Sequence, residues 1–342
     1  MNGTDSKKTG IGKRIVMSLV MPVVLFLLFF IISSVRQIPF GTTAISWQIM
    51  IERTIASVCI AYALAIQIKN GRFDFSGGAL MTVVGIAAGH LCKTYALSPW
   101  IMLLVCIVLS VLASLVIAVV YIYGKLPIII CTIGMALVLE ALTNTINKGN
   151  GVVIVSDKSL NMFGTMPWEL LIFVLAILIF YIYNTFTVSG KKAELLANNQ
   201  ESAVDIGIKE NRNVLQTFVI SGILYGLAAV ILVSQAAPSL QSVSSTLGTI
   251  GTAFSAIMPV FMGFFIGSFS NDAIGILLAT LAMQFLNYGI EVNTQAAVRS
   301  AYTNICTGIF MVVFFLCTEQ GKKFIQIIKS GFSKQNKELE HE

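Results

Sequence analysis

Charge is scarce in this chain. Of 342 residues only 16 are acidic and 22 basic, 11% together, against 56% hydrophobic, and the mean hydropathy is +0.85. A water-soluble domain of this length has too little interior to hide that much apolar side chain, so a soluble globular fold is excluded. Histidine is nearly missing: His90 stands alone outside the C-terminal tail, which leaves too few imidazoles for a histidine-based metal site. The six cysteines (Cys59, Cys92, Cys106, Cys131, Cys306 and Cys317) are scattered through apolar segments with no Cys-x-x-Cys or Cys/His spacing, as small buried hydrophobes are. Also absent are Gly-x-x-x-x-Gly-Lys-Ser/Thr, Gly-x-Ser-x-Gly and His-Glu-x-x-His. The chain therefore carries no P-loop to cradle nucleotide phosphates, no nucleophile elbow and no zinc helix. A membrane enzyme built on dispersed carboxylates is the catalytic class this leaves open, and it requires Asp74, Glu140 and Glu291 to converge.

What is present is a series of apolar runs of about 20 residues, the length an α-helix needs to cross a hydrocarbon core of roughly 30 Å. They cover residues 15–35, 47–68, 76–96, 100–123, 127–147, 168–186, 214–234, 252–267, 272–290 and 297–317. The expected fold is an all-α, polytopic transmembrane bundle of about ten helices. The first run follows Lys7, Lys8, Lys13 and Arg14 like a signal peptide, but its apolar stretch is too long and no small-residue cleavage site follows, so it is expected to stay as a helix.

Basic loops are retained in the cytoplasm. With both termini inside, the cytoplasm receives Lys69, Arg72, Lys125, Lys191, Lys192, Lys209, Arg212 and the tail lysines from Lys322 to Lys337, and the outside receives Arg36, Arg53, Lys93, Lys148, Lys158 and Arg299. Trp47, Trp100 and Trp168 each open a run at the end this topology places outside, where amphipathic rings sit at headgroup level. The expected organisation is a cytoplasmic segment at 1–14, a membrane domain at 15–317 and a basic cytoplasmic tail at 318–342, whose lysines suit a headgroup layer.

Three places carry chemistry. The polar stretch 187–212 is expected to be a cytoplasmic loop. Within it Asn199 is a suitable N-cap, Glu201 complements a first helical turn and Gly207 is a natural stop, so Asn199, Glu201, Ser202, Ala203, Gly207 and Ile208 mark a short helix. That helix either lies on its own bundle or docks a soluble partner. Glu140 lies about 20 Å along a helix from Pro127, and an ionisable group at that depth faces a bundle interior or a water-filled cavity. Asn144 and Asn147 follow it, and Gln284, Asn287 and Glu291 form a second stripe; the two stripes line one solute path, or else Glu140 pairs with Arg53 or Arg299 while the asparagines tie helices together. Finally, Asp74, Ser76 and Gly78 interrupt the apolar pattern, with Gly71 and Gly77 giving backbone freedom for a helix break. Thr132-Ile133-Gly134-Met135-Ala136 is echoed by Thr249-Ile250-Gly251-Thr252-Ala253, as a repeated transporter half would show.

The order of these motifs resembles the sugar-type permeases of bacterial ABC importers, the ribose and galactose group. That family carries Gly-Gly-Ile-Asp-Leu-Ser-Val-Gly-Ser after its second helix, and this chain has Gly71-Arg72-Phe73-Asp74-Phe75-Ser76-Gly77-Gly78-Ala79. Its Gly-Asn-x-x-Ala-Ala-x-x-x-Gly-Ile loop and Ser-Gly-x-x-x-Gly-x-Ala helix are matched by Asn199, Ser202, Ala203, Gly207 and Ile208, then by Ser221-Gly222-Ile223-Leu224-Tyr225-Gly226-Leu227-Ala228. Gly124-Lys125-Leu126-Pro127 leading into Thr132-Ile133-Gly134-Met135, and Leu286-Asn287-Tyr288-Gly289, complete a likeness running from Trp47 to Cys317. The family's Gly-Gly-x-Gly stretch is degenerate here, between Gly267 and Gly275, and Glu140 stands where members often have arginine.

The resemblance implies a permease subunit without cofactors, in the bacterial cell membrane. It works as a dimer on two ATPase subunits that bind ATP and Mg, with an extracytoplasmic binding protein delivering a small polar solute, above all a monosaccharide. Asn199 to Ile208 then become the coupling helix of an alternating-access cycle, with Asp74, Ser76 and Gly78 in gating. Nucleosides and branched-chain amino acids are the neighbouring solute classes. A stand-alone secondary transporter coupling to ions through Glu140 is the rival from another class.

Overall fold

The computed structural model describes residues 11–198 and 209–317. Each expected apolar run is a helix: α1 (Ile11–Val35), α2 (Ala44–Lys69), α3 (Gly77–Thr94), α4 (Pro99–Gly124), α5 (Ile128–Thr145), α6 (Trp168–Phe186), α8 (Glu210–Gln235), α9 (Ile250–Gly267), α10 (Asp272–Asn293) and α11 (Arg299–Cys317). Among the described residues, eight of these are long and apolar enough to cross a membrane. α3 falls short, with four glycines, His90 and Lys93 in 18 residues.

An additional helix, α7 (Val188–Asn198), corrects the expectation of a loop throughout 187–212. Apolar periodicity could not reveal it, because Lys191 and Lys192 are good helix formers that stay exposed and the helix is only 11 residues long. Its start is capped by Thr187, whose hydroxyl accepts the Gly190 N–H at 3.0 Å. The expected coupling residues Asn199, Glu201, Ser202, Ala203, Gly207 and Ile208 lie outside the described residues, as does the tail from 318.

Sequence punctuation sets the helix starts. Thr43 and Ser46 form a capping box at α2, the Ser98 hydroxyl accepts from Ile101 N–H ahead of Pro99 at α4, and Asn271 caps α10. At the centre lies α8, packed on α4, α2 and α3. Glycine permits the closest approach. A Cβ on Gly226 would stand 2.7 Å from the Ile107 Cα, and one on Gly222 would meet Ser114 Oγ at 2.8 Å, so the Gly-x-x-x-Gly pair lets the α8 and α4 backbones touch. On the outside, Val16, Val20, Val23 and Ile31 of α1 and Leu104, Val108 and Leu112 of α4 are exposed in rows that meet lipid rather than water.

The two ends of the bundle are distinct. At one, Trp100 and Trp168 pack edge to face with ring centroids 5.7 Å apart. There Val152 and Leu240 exchange two backbone hydrogen bonds of 2.9 Å, closing the loops after α5 and α8 over the helices. At the other, Lys69 pairs with Asp272 and donates to Asn184 Oδ1 at 2.5 Å, joining the ends of α2, α6 and α10. The second end is the one that the basic-residue bias assigns to the cytoplasm.

Candidate functional site

Residues 70–76 leave the helical path between α2 and α3, yet Asp74 is 2% exposed and Ser76 is fully buried. One Asp74 oxygen accepts the Ser76 N–H at 2.9 Å and its hydroxyl at 2.5 Å, and the other accepts Tyr225 Oη at 3.5 Å. The carboxylate thereby takes up the amide of Ser76, the N-cap residue of α3, beside a helix start whose dipole favours negative charge. Tyr225 comes fifteen residues after the first residue of α8, about 22 Å along its axis. Hence α3 begins deep inside the bundle, and the non-helical segment is tolerated because protein surrounds it. Gly77 lies flat on the Tyr225 ring, which a Cβ would meet at 2.6 Å.

Gly78 lies against the Thr249 carbonyl so closely that a Cβ there would collide with it. Thr249 is the residue before Ile250, the first of α9, so α3 and α9 start side by side at one depth. The second start also has a carboxylate. Glu140 of α5, 4% exposed, accepts the Thr249 N–H at 2.8 Å and its hydroxyl at 2.6 Å through Oε1. Its Oε2 is buried without a hydrogen-bond partner among the described residues. One turn on, Thr143 accepts the Val243 N–H at 2.9 Å and Asn144 donates to the Val243 carbonyl at 3.0 Å. The polar face of α5 therefore clasps the connection between α8 and α9.

Asn147 falls past the end of α5 in a left-handed conformation (φ 50°, ψ 33°), which asparagine tolerates better than most residues, and donates to the Gly151 carbonyl at 2.8 Å. The second stripe is elsewhere. Gln284 donates to Ser57 Oγ at 2.7 Å, Asn287 is half-buried one turn further along α10, and Glu291 pairs with Arg53 and Arg299. Whereas α5 packs on α3 and α4, α10 packs on α1, α2 and α9, so within one chain the two stripes occupy different flanks. The arginines weighed as partners for Glu140 belong to Glu291 instead. Asp74, Glu140 and Glu291 share no hydrogen-bond partner among the described residues: Asp74 holds Ser76 and Tyr225, Glu140 holds Thr249, and Glu291 pairs with the two arginines.

Two members of the site were not legible as site residues. Tyr225 sits inside an apolar run. Thr249 lies just before the expected start of its helix at residue 252, and its signal was a threonine preceding Gly251 and the echo of 132–136.

The family model described as "Branched-chain amino acid transport system / permease component" matches residues 49–315. Curated relatives named "Autoinducer 2 import system permease protein LsrD", from Escherichia coli (strain SMS-3-5 / SECEC) and Shigella flexneri, are 26% identical over 270 residues, 74% of this chain and 78% of theirs. A solved metal-chelate type ABC transporter in an inward-facing conformation superposes with a TM-score of 0.50 at 14% identity, over 88% of this chain and 99% of that one, a likeness of fold.

Proposed function

The chain belongs to the permease-component family of branched-chain amino acid type transport systems, and from that premise we propose how it works: it forms the membrane path of an ATP-driven importer for a small polar solute, above all a monosaccharide. It is a multi-pass protein of the bacterial inner membrane. ATP and Mg are handled by a partner ATPase, an extracytoplasmic binding protein delivers the solute, and a second permease copy completes the path. The observation that carries this reading is the meeting of α3 and α9, two helices that begin inside the bundle, each with a buried carboxylate at its start. Interrupted helices whose N-termini converge within the membrane are how transporters build a path that opens to alternate sides.

In the cycle, closure of the ATPases acts through Asn199, Glu201, Ser202, Ala203, Gly207 and Ile208 as coupling residues. Asp74, Ser76 and Gly78 hold the break that moves. Glu140 and Asn144 border the path by fixing the α8–α9 connection, Asn147 borders it from the loop after α5, and Gln284 and Asn287 border it from α10. The motif order and the relatives named for autoinducer 2 import support a sugar-type cargo; the family description favours branched-chain amino acids as the second reading.

The test is capture of co-expressed candidate ATPases by solubilised wild type, Glu201→Lys and Gly207→Trp proteins, followed by uptake of ribose, galactose, autoinducer 2, leucine and adenosine into liposomes. Capture by wild type and its selective loss in folded variants is the expected result. Solute movement by the purified chain alone, with no ATPase ever captured, replaces the importer with a secondary transporter. Leucine uptake without sugar uptake reassigns the cargo.

A further inference from the structure

In the family run quoted above, the second residue is glycine; this chain has Arg72. The side chain is 5% exposed, and its hydrogen bonds go to neutral groups. Nη2 donates to Asn213 Oδ1 at 2.7 Å and to Thr217 Oγ1 at 3.0 Å. Those acceptors are one helical turn apart on the first turns of α8, so a single nitrogen spans both. Asn213 in turn donates through Nδ2 to Ser189 Oγ at 2.9 Å. Ser189 is the second residue of α7 and Asn213 the fourth of α8, the two helices that bracket residues 199–208. Two residues along the chain from Arg72 is Asp74, which holds the start of α3. Beside it, Asn70 donates to Tyr183 Oη at 3.0 Å, and Lys69 reaches Asn184 and Asp272, so the end of α2 is tied to α6 and α10 as well.

We propose that Arg72 is the positioning residue that transmits movement of the ATPase-docking segment to the helix break at the start of α3. Three features support it. The two Arg72 links are short, buried and charge-assisted, roughly twice as strong as neutral hydrogen bonds, and the buried Asn213–Ser189 bond extends them as one network. The route runs without a gap from Ser189 through Asn213 and Arg72 to Asp74, Ser76 and Gly78. A cavity of about 360 Å³ lies against Arg72, lined also by Tyr121, Ile128, Leu196 and Glu210, and gives the segment room to move. Both hydrogen bonds leave the one Nη2, which the rigid guanidinium plane holds between its acceptors; the ammonium of lysine is a point charge on a more flexible stem. The inference rests on the importer reading of residues 199–208.

The experiment measures hydrogen–deuterium exchange in the complex of permease and captured ATPase in nanodiscs, with and without AMP-PNP. In wild type, AMP-PNP is expected to alter exchange both in the flanks 188–198 and 209–217 and in 70–78. In Arg72→Lys and in Asn213→Leu the flanks keep their response while that of 70–78 falls by about tenfold, the equilibrium factor of one charge-assisted hydrogen bond. The double variant is expected to be no worse than either single, because both break the same chain of contacts. Thr217→Val, which removes one acceptor, keeps the question open to test if either larger change prevents folding, and is expected to weaken the response of 70–78 alone. An unaltered response of 70–78 in the variants, or none in wild type, overturns the relay and leaves the importer standing. Failure of wild type to capture any ATPase sinks both.

Discussion

At the scale of single residues, Glu140 serves two donors of Thr249 through one oxygen. Truncation and neutralisation should therefore differ. Glu140→Ala leaves the buried Thr249 N–H and hydroxyl without an acceptor, a cost of about 1–3 kcal/mol for each unmet group. Glu140→Gln keeps a carbonyl oxygen in place and gives up only the charge at the start of α9, about 0.3–1 kcal/mol. Thermal unfolding in detergent is expected to rank wild type slightly above Glu140→Gln and both well above Glu140→Ala. Equal losses in the two variants would mean that the charge, and not the hydrogen bonds, holds this start. Glu140 was visible beforehand because an acidic residue in an apolar helix has few explanations. Its partner was not, since the two residues are 109 positions apart and threonine is unremarkable before a membrane helix. The same asymmetry applies to Arg72, which loop charge alone assigns to the cytoplasmic surface and which the fold instead buries against Asn213.

Among elements, most of the fold could be read from the sequence because lipid imposes one strict requirement, about 20 apolar residues with every backbone group satisfied within the helix. The break at 70–76 was readable for the opposite reason: Asp74, Ser76, Gly77 and Gly78 cannot continue such a run cheaply. What could not be read was α7, too short and polar to leave an apolar period, and the depth at which α3 starts, which depends on its packing against Tyr225. Packing also gives the Gly222-x-x-x-Gly226 pair its partner, since it brings α8 against α4. Gly226→Val places branched carbon where the Ile107 backbone stands and is expected to cost more than the 1–3 kcal/mol of ordinary overpacking, about 4 kcal/mol, because a backbone and not a side-chain tip must move. Gly134→Ala, on exposed α5 surface with nothing within 4 Å of its Cβ position, is expected to be neutral or better, as alanine favours helix by about 1 kcal/mol. Size-exclusion profiles of solubilised protein check both; a monodisperse Gly226→Val would show that the α4–α8 crossing yields.

For the whole molecule, the decisive property is which end faces the cytoplasm, because ATP-driven import needs α7 and the start of α8 on the side where ATP is. The fold gathers Lys125, Lys191 and Lys192 toward the Lys69–Asp272 end and Lys148 and Lys158 toward the Trp100–Trp168 end, so the basic bias acts on a consistent set of loops. Cysteines introduced at these exposed positions read the orientation directly. Cys59, Cys92, Cys106 and Cys131 are buried and free, so a background carrying Cys306→Ser and Cys317→Ser leaves little native thiol to react. In cells with a permeabilised outer membrane, Lys148→Cys and Lys158→Cys are expected to take an impermeant maleimide at once, and Lys125→Cys and Lys191→Cys only after lysis. The reverse pattern would put residues 199–208 outside the cell, beyond reach of any ATPase. Coupling, relay and importer would then fall together, and the buried carboxylates at the two helix starts would belong to a transporter driven by ions.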